Sequence, residues 1–409
     1  MASAGRAGVG TNQEDVRRHN LGTALGHVHR AGRISRAELT TRMGLNRSTI
    51  AGLVAELESL GLADQAKPSG TRVGAGRPSV DVKVRPGAYV LAVDLRVDGL
   101  TVARVGLGGV VQARATGPVP ANHDPHAISE SVVELMKLVV KDVESRAVLV
   151  GVGVSVPGVI RSEDGLVRLA PNLGWRDVPF ARIVADRIGT VAMPVLGNDA
   201  DLGALAEHVR GAGVGVEDLI YLSGEVGVGA GIIVAGRKLD GAGGYAGEIG
   251  HLPFVPNGKL CHCGARGCWE TEIGAPAIAL AIGCPSERIG ALGEFLEGVH
   301  EATPGLRTVG THLGRGLAGA VNLLNPRVIV LGGYLRSLYP LVRDDVENAL
   351  AIHALTAPRE QVLVTLPGLG GDSVLQGAAE LAFEPLLADP VGRLAATACQ
   401  DVETSLIAG

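Results

Sequence analysis

The chain has 409 residues, enough for two or three domains, each with its own core. It is 46% hydrophobic, yet no apolar run reaches membrane-spanning length, and the opening MASAGRAGVG holds no long apolar segment; neither a membrane span nor a secretory leader is expected. The net charge of −5 is uneven, because residues 1–85 carry 13 Lys and Arg against 7 Asp and Glu while the remainder carries 24 against 35. A basic head on an acidic body suggests that the head meets nucleic acid and the body binds something else.

Residues 1–12 are small and polar. From Gln13 a helical pattern begins, with Val16, Leu21, Leu25 and Val28 on its apolar side and Gly32 as its end. His19, His27 and His29 have no thiol or carboxylate constellation around them and read as surface histidines. Ser35 reads as a helix N-cap with Glu38 as its capping-box partner, and that helix stops at Gly44. Asn46 caps a second helix whose apolar face is Ile50, Leu53, Val54, Leu57 and Leu60, with Gly61 as the stop. Two short helices across a tight turn predict a helix-turn-helix. Its second helix would present Asn46, Arg47, Ser48 and Thr49 to a DNA major groove, and Arg47 would meet either guanine or a phosphate. A helical hairpin used for dimerisation is the alternative. Between Leu62 and Val84 two strand-like pieces flank KPSGTRVGAGRPS. This reads as a β-wing with Arg72 and Arg77 as cationic tips, or else as a linker.

From Tyr89 the pattern becomes α/β. Three strands form a meander, followed by a helix over 127–144 and a buried strand, AVLVGVGVSVPG. Asn198-Asp199 ends a later strand and opens a helix; Asp199 there suits ligand binding, or merely caps the helix. A Gly-rich hairpin follows at 224–231. The stretch 276–325 reads as mainly helical, and Arg327 to Gly333 as a buried strand closed by a Gly-Gly turn. A helix from Ser373 to Phe383 and a helical tail that packs back on the first lobe close the chain.

The densest chemistry lies between Gly241 and Glu272. Cys261, Cys263 and Cys268 crowd one turn-rich loop, with His251 just upstream. Three thiolates and an imidazole make a full tetrahedral set for Zn²⁺, and a closed four-ligand site makes the zinc structural rather than hydrolytic. Reduced thiols without metal are the alternative; three local cysteines cannot all pair. Clustered thiols of this kind suit a reducing cytoplasm. Glu248 and Glu270 flank the loop and would accept hydrogen bonds from a polyhydroxylated ligand.

The order G-x-x-G-x-A-G-E-I-G-H then C-x-C-G-x-x-G-C-W-E resembles the signature of the ROK family (repressors, open reading frames and sugar kinases). The resemblance implies an α/β fold: an N-terminal winged helix-turn-helix over 13–84, then a two-lobed actin/hexokinase-like (ribonuclease H-like) module. Its lobes would be 85–198, with 373–409 packing back on it, and 199–372, with the zinc loop. The resemblance implies that Asn198, Asp199, Glu248, His251 and Glu270 bind a sugar, with Asn172 as a further contact; Asp199 matches the proton acceptor of the family's kinases. Those kinases carry an Asp-x-Gly-Gly-Thr loop for ATP phosphates. The equivalent here, Asp94-Leu95-Arg96-Val97-Asp98, lacks the glycines and the threonine, so side chains would obstruct a phosphate and Asp98 would repel it. The expectation is a cytoplasmic, sugar-responsive, non-catalytic repressor of carbohydrate-utilisation genes. It would bind operator DNA as a homodimer or homotetramer, hold structural zinc, and have a possible transport-system protein as a further partner. The rival is an ATP-dependent ROK sugar kinase with an appended DNA-binding head.

Overall fold

A computed structural model describes residues 13–67, 79–143, 147–161, 163–189 and 193–398. Three helices and a small sheet come first: α1 (Gln13–Ala31), β1 (Arg33–Ser35), α2 (Arg36–Met43), α3 (Arg47–Ser59), β2 (Ala63–Ala66) and β3 (Asp81–Val84). The central β3 pairs antiparallel with β1 and β2. Ser35 caps α2 by accepting the Glu38 N–H at 3.1 Å, and Gly44 ends it at φ 64°, a left-handed conformation that glycine adopts without a Cβ penalty. Asn46 caps α3 by accepting the Thr49 N–H at 2.8 Å. Leu21, Leu25, Val28, Leu39, Ile50, Val54 and Leu57 are buried together as the periodicity requires.

Three readings of this region change. Val16 is exposed, beyond the reach of the small core. His29 is fully buried rather than on the surface. The three-residue β1 was too short to carry an alternating pattern. Arg72 and Arg77 lie outside the described residues.

The first lobe contains β4 (Ala88–Leu95), β5 (Leu100–Gly106), β6 (Val110–Gly117), α4 (Pro125–Val140), β7 (Val148–Val156), β8 (Val159–Arg161), β9 (Leu166–Ala170), β10 (Trp175–Val178), α5 (Phe180–Ile188) and β11 (Val195–Asn198). Its sheet runs β11-β7-β4-β5-β6. Helix α6 (Asp199–Arg210) then crosses to the second lobe. That lobe contains β12 (Leu219–Gly224), β13 (Val228–Val234), β14 (Arg237–Lys238), α7 (Glu270–Ile273), α8 (Ala275–Ile282), α9 (Leu292–Glu297), α10 (Pro304–Leu324), β15 (Val328–Gly333), α11 (Leu335–His353), α12 (Thr356–Arg359) and β16 (Leu363–Thr365). Its sheet runs β14-β13-β12-β15-β16. Each sheet is thus a three-stranded antiparallel meander extended by two parallel strands. One plan is used twice.

The chain closes with α13 (Ser373–Ala388) and α14 (Pro390–Ala398). Helix α13 packs on β4 and β7, α6 packs on β12 and β13, and the two helices pack against each other between the sheets. A Cβ on Gly377 would run into the Leu202 carbonyl oxygen, so glycine there sets how closely α13 approaches α6. The hydrophobic core of α1–α3 is continuous with Val90, Ala92, Ala378 and Phe383. Among the described residues no helix is long and apolar enough to cross a membrane.

Candidate functional site

Asn172, Asn198, Asp199, Glu248, His251 and Glu270 all line one cleft of about 630 Å³ between the lobes. They reach it from separate pieces of chain: a 3₁₀ turn over Pro171–Leu173, the β11–α6 junction, a 3₁₀ turn over Ile249–His251, and the start of α7. The helix cap at the junction is Asn198, not Asp199. The Asn198 Oδ1 accepts the Ala200 and Asp201 N–H groups at 2.9 and 3.3 Å, and its Nδ2 donates to the Gly158 carbonyl at 3.0 Å. The Asp199 carboxylate, the first side chain of the helix, lines the cleft. Burial in the cleft wall pushes its pKa up to about 7, helped by the charges of Asp94 and Glu248 and opposed by the Ala200 N–H. Burial likewise raises Glu248, with His251 opposing. Glu270 accepts the Val228 N–H at 3.3 Å.

The four expected metal ligands converge. One donor atom from each of His251, Cys261, Cys263 and Cys268 lies within 4.8 Å of the others. Cys263 Sγ and Cys268 Sγ are 3.7 Å apart, and Cys261 Sγ is 3.6 Å from His251 Nδ1. Zn–S bonds of about 2.3 Å and Zn–N bonds of about 2.0 Å at tetrahedral angles require edges of about 3.8 and 3.5 Å. The donor set therefore fits a tetrahedral divalent cation in number, type and spacing. Cys261 donates its thiol proton to Glu270 Oε1 at 2.8 Å. Burial first, then that carboxylate, raises the Cys261 thiol, a cost that a coordinated cation would reverse. His251 turns Nδ1 to the thiols, while its Nε2 lies 3.8 Å from Glu248. One imidazole thus joins the cysteine loop to the cleft.

The other half of the cleft is acidic. Asp94, at the end of β4, and Glu225, after β12, are raised to about 6 and about 8 by burial, with Arg96 opposing both. Arg96 Nε pairs with Asp98 Oδ1 at 3.3 Å, and its backbone N–H closes a tight turn on the Gly99 carbonyl at 2.9 Å. Leu95 is buried in the lobe's core, so the side chains that fill this turn's approach are Arg96 and Asp98. Glu225 lies in the hairpin over 224–231, which reads from sequence only as glycine-rich; a carboxylate inside such a loop is its legible signal. Trp175 is a core residue, with Nε1 donating to the His123 carbonyl at 2.7 Å.

Away from the cleft, Asn46, Arg47, Ser48 and Thr49 are exposed at the start of α3. Asn46 Oδ1 also accepts the Ser48 and Thr49 hydroxyls at 2.7 and 3.0 Å, so that side chain is occupied as a cap. Arg47 extends beside it.

A duplicated α/β plan with a cysteine-histidine loop at its interlobe cleft is the architecture of a sugar-kinase-like module. The chain belongs to the ROK family, whose pattern matches residues 90–384. It is 27% identical over 376 residues to a putative xylose repressor of Caldicellulosiruptor sp. (strain Rt8B.4), covering 87% of this chain and 93% of that protein. It is 30% identical over 299 residues to a glucokinase of Streptomyces coelicolor, covering 68% of this chain and 92% of the kinase. Among solved structures, a ROK family transcriptional regulator described as a homologue of the E. coli MLC protein superposes with a TM-score of 0.73 at 22% identity, covering 97% of this chain and 100% of that one.

Proposed function

We propose that this protein is a sugar-responsive transcriptional repressor. The observation that carries the reading is the cleft itself: its sugar side gathers Asn172, Asp199, Glu248, His251 and Glu270, while its phosphate side holds Arg96 and Asp98 where a kinase needs bare backbone. A neutral sugar gains charged acceptors from the first group. A triphosphate meets the Arg96 side chain and the Asp98 carboxylate in place of open backbone N–H groups, and is disfavoured. The likeness to a xylose repressor extends over 87% of this chain, whereas the likeness to a glucokinase stops at 68%. Zn²⁺ on His251, Cys261, Cys263 and Cys268 fixes the loop that carries Glu248, His251 and Glu270. It leaves no open coordination position for water.

The head reads as a winged helix-turn-helix. Helix α3 enters the major groove with Arg47, Ser48 and Thr49 forward. A two-fold operator needs two heads, so the working form is a homodimer or homotetramer. Sugar bound between the lobes favours one closure angle and thereby changes operator affinity.

The test starts from DNA fragments that the purified protein selects from a random-sequence library. Their affinity is read by fluorescence anisotropy with and without D-xylose or D-glucose. A sugar-dependent shift of about fivefold or more is expected. The kinase reading is checked in the same preparation with ATP-Mg. No sugar phosphate above background is expected, and turnover would reinstate that reading.

A further inference from the structure

Buried charge joins the head to the two-lobed module. His29, in the last turn of α1, is 0% exposed. Its Nδ1 accepts the Gly108 N–H at 3.1 Å, from the turn between β5 and β6. The other ring nitrogen, Nε2, lies 3.1 Å from the Glu380 carboxylate of α13 and 2.6 Å from Arg210 Nη2. Arg210, the last residue of α6, completes the node. Its Nε donates to Glu380 Oε1 at 2.5 Å, and its Nη1 donates to the carbonyls of Gly108 and His29 at 2.9 and 3.3 Å. A Cβ on Gly109 would strike this guanidinium, so the turn is fitted around it. Burial works against ionisation of Glu380, yet His29 and Arg210 hold its carboxyl below the ordinary value. One guanidinium thus ties together the head, the first-lobe hairpin, α13 and α6.

The opposite end of α6 is the ligand site. Asn198 caps it, Asp199 is its first residue, and both line the cleft. The helix has 12 residues, a rise of about 18 Å. It lies on the second lobe's sheet, with glycine at 231 letting the Ala200 carbonyl come close, so it travels with that lobe. We propose that α6 is the shaft that carries effector occupancy to the DNA-binding head, with Arg210 as the positioning residue that couples its far end to His29 and Gly108. This rests on the sugar-responsive reading above. A tilt of 5° over about 18 Å moves the Arg210 end by about 1.6 Å, more than hydrogen bonds of this length tolerate. The node therefore has a made and a broken arrangement rather than a graded one.

The experiment uses the full chain and its Arg210→Lys variant, which keeps a cation beside Glu380 but removes the forked grip on two carbonyls. D-xylose and D-glucose are the probes. Sugar binding is read as the melting shift, and coupling as the ratio of operator affinities with and without sugar. The variant is expected to keep the melting shift within about 1 °C and sugar-free operator affinity within about threefold, while its coupling ratio falls below twofold. An unchanged ratio in Arg210→Lys overturns the shaft and leaves the repressor reading standing. A wild type that binds sugar, or fails to, with no change in operator affinity sinks the repressor reading and the shaft with it. Should the variant not fold, hydrogen–deuterium exchange on the wild type decides: sugar should change protection at residues 25–31 and 105–110, and no change there removes the proposal.

Discussion

His251 has two ring nitrogens with two tasks. Nδ1, 3.6 Å from the Cys261 sulfur, joins the cluster that could hold a metal, which leaves Nε2 toward Glu248 and the cleft. Loss of a thiolate should therefore be felt in both places. Cys263→Ser is expected to lose about one equivalent of zinc by metal analysis and to melt about 5 °C or more below the wild type. Full metal content in that variant would remove the assignment. Asp199 makes a different prediction, concerning pH. Its carboxyl is raised to about 7 in the folded chain, above the ordinary Asp value of about 4 in the unfolded one. The folded state then holds an extra proton between those values. The stability tied to that proton is fully present below about pH 4 and is lost as pH rises through about 7. Wild-type stability relative to Asp199→Asn should fall across that interval and level off above it. Urea denaturation at pH 5, 6, 7 and 8 checks this, and a flat difference would show that the carboxyl is not raised.

At the scale of the element, helix ends do much of the placing. Ser35, Asn46, Asp124, Asn198 and Thr303 each accept an N–H from the first turn of the helix they open. Asn46 is the most heavily used, with the Thr49 N–H and two hydroxyls converging on one oxygen. Asn46→Ala should cost about 1 kcal/mol of stability in urea denaturation and also weaken operator binding, because it frays the turn that presents Arg47. Normal operator affinity in that variant would separate the cap from recognition. Asn198 shows how one cap can serve two ends, since it holds the N-terminus of α6 and grips the Gly158 carbonyl of the first lobe. Helix α6 is thereby fixed at its cleft end.

At the scale of the whole molecule, two sheets of the same plan face each other across α6 and α13, and the cleft opens where their strand ends meet. The head does not hang on a flexible tether. Its core runs without a break into that of the first lobe, and Gly22 lets α1 cross the end of α13 at backbone distance. The surfaces proposed for DNA and for sugar are nevertheless separate. Arg47→Ala should weaken operator binding about tenfold and lower the salt dependence by about one phosphate contact, with the sugar-induced melting shift unchanged. Loss of the melting shift in that variant would contradict the separation.

The sequence by itself determined what is local. Caps at Ser35 and Asn46, stops at Gly44 and Gly61, the strand meander after Tyr89 and a loop with four candidate metal donors are each written within about thirty residues, because they depend on backbone geometry and side-chain chemistry close by in the chain. The tertiary structure decided what depends on distant partners. His29 looked like a solvated histidine because its partners, Gly108, Arg210 and Glu380, lie 79, 181 and 351 residues away. Leu95 looked like an obstruction until packing turned it into the core. Glu225 looked like part of a turn until the second lobe set it opposite Arg96. A buried charge can be recognised only once the groups that compensate it are in place, and the fold alone brings those groups together.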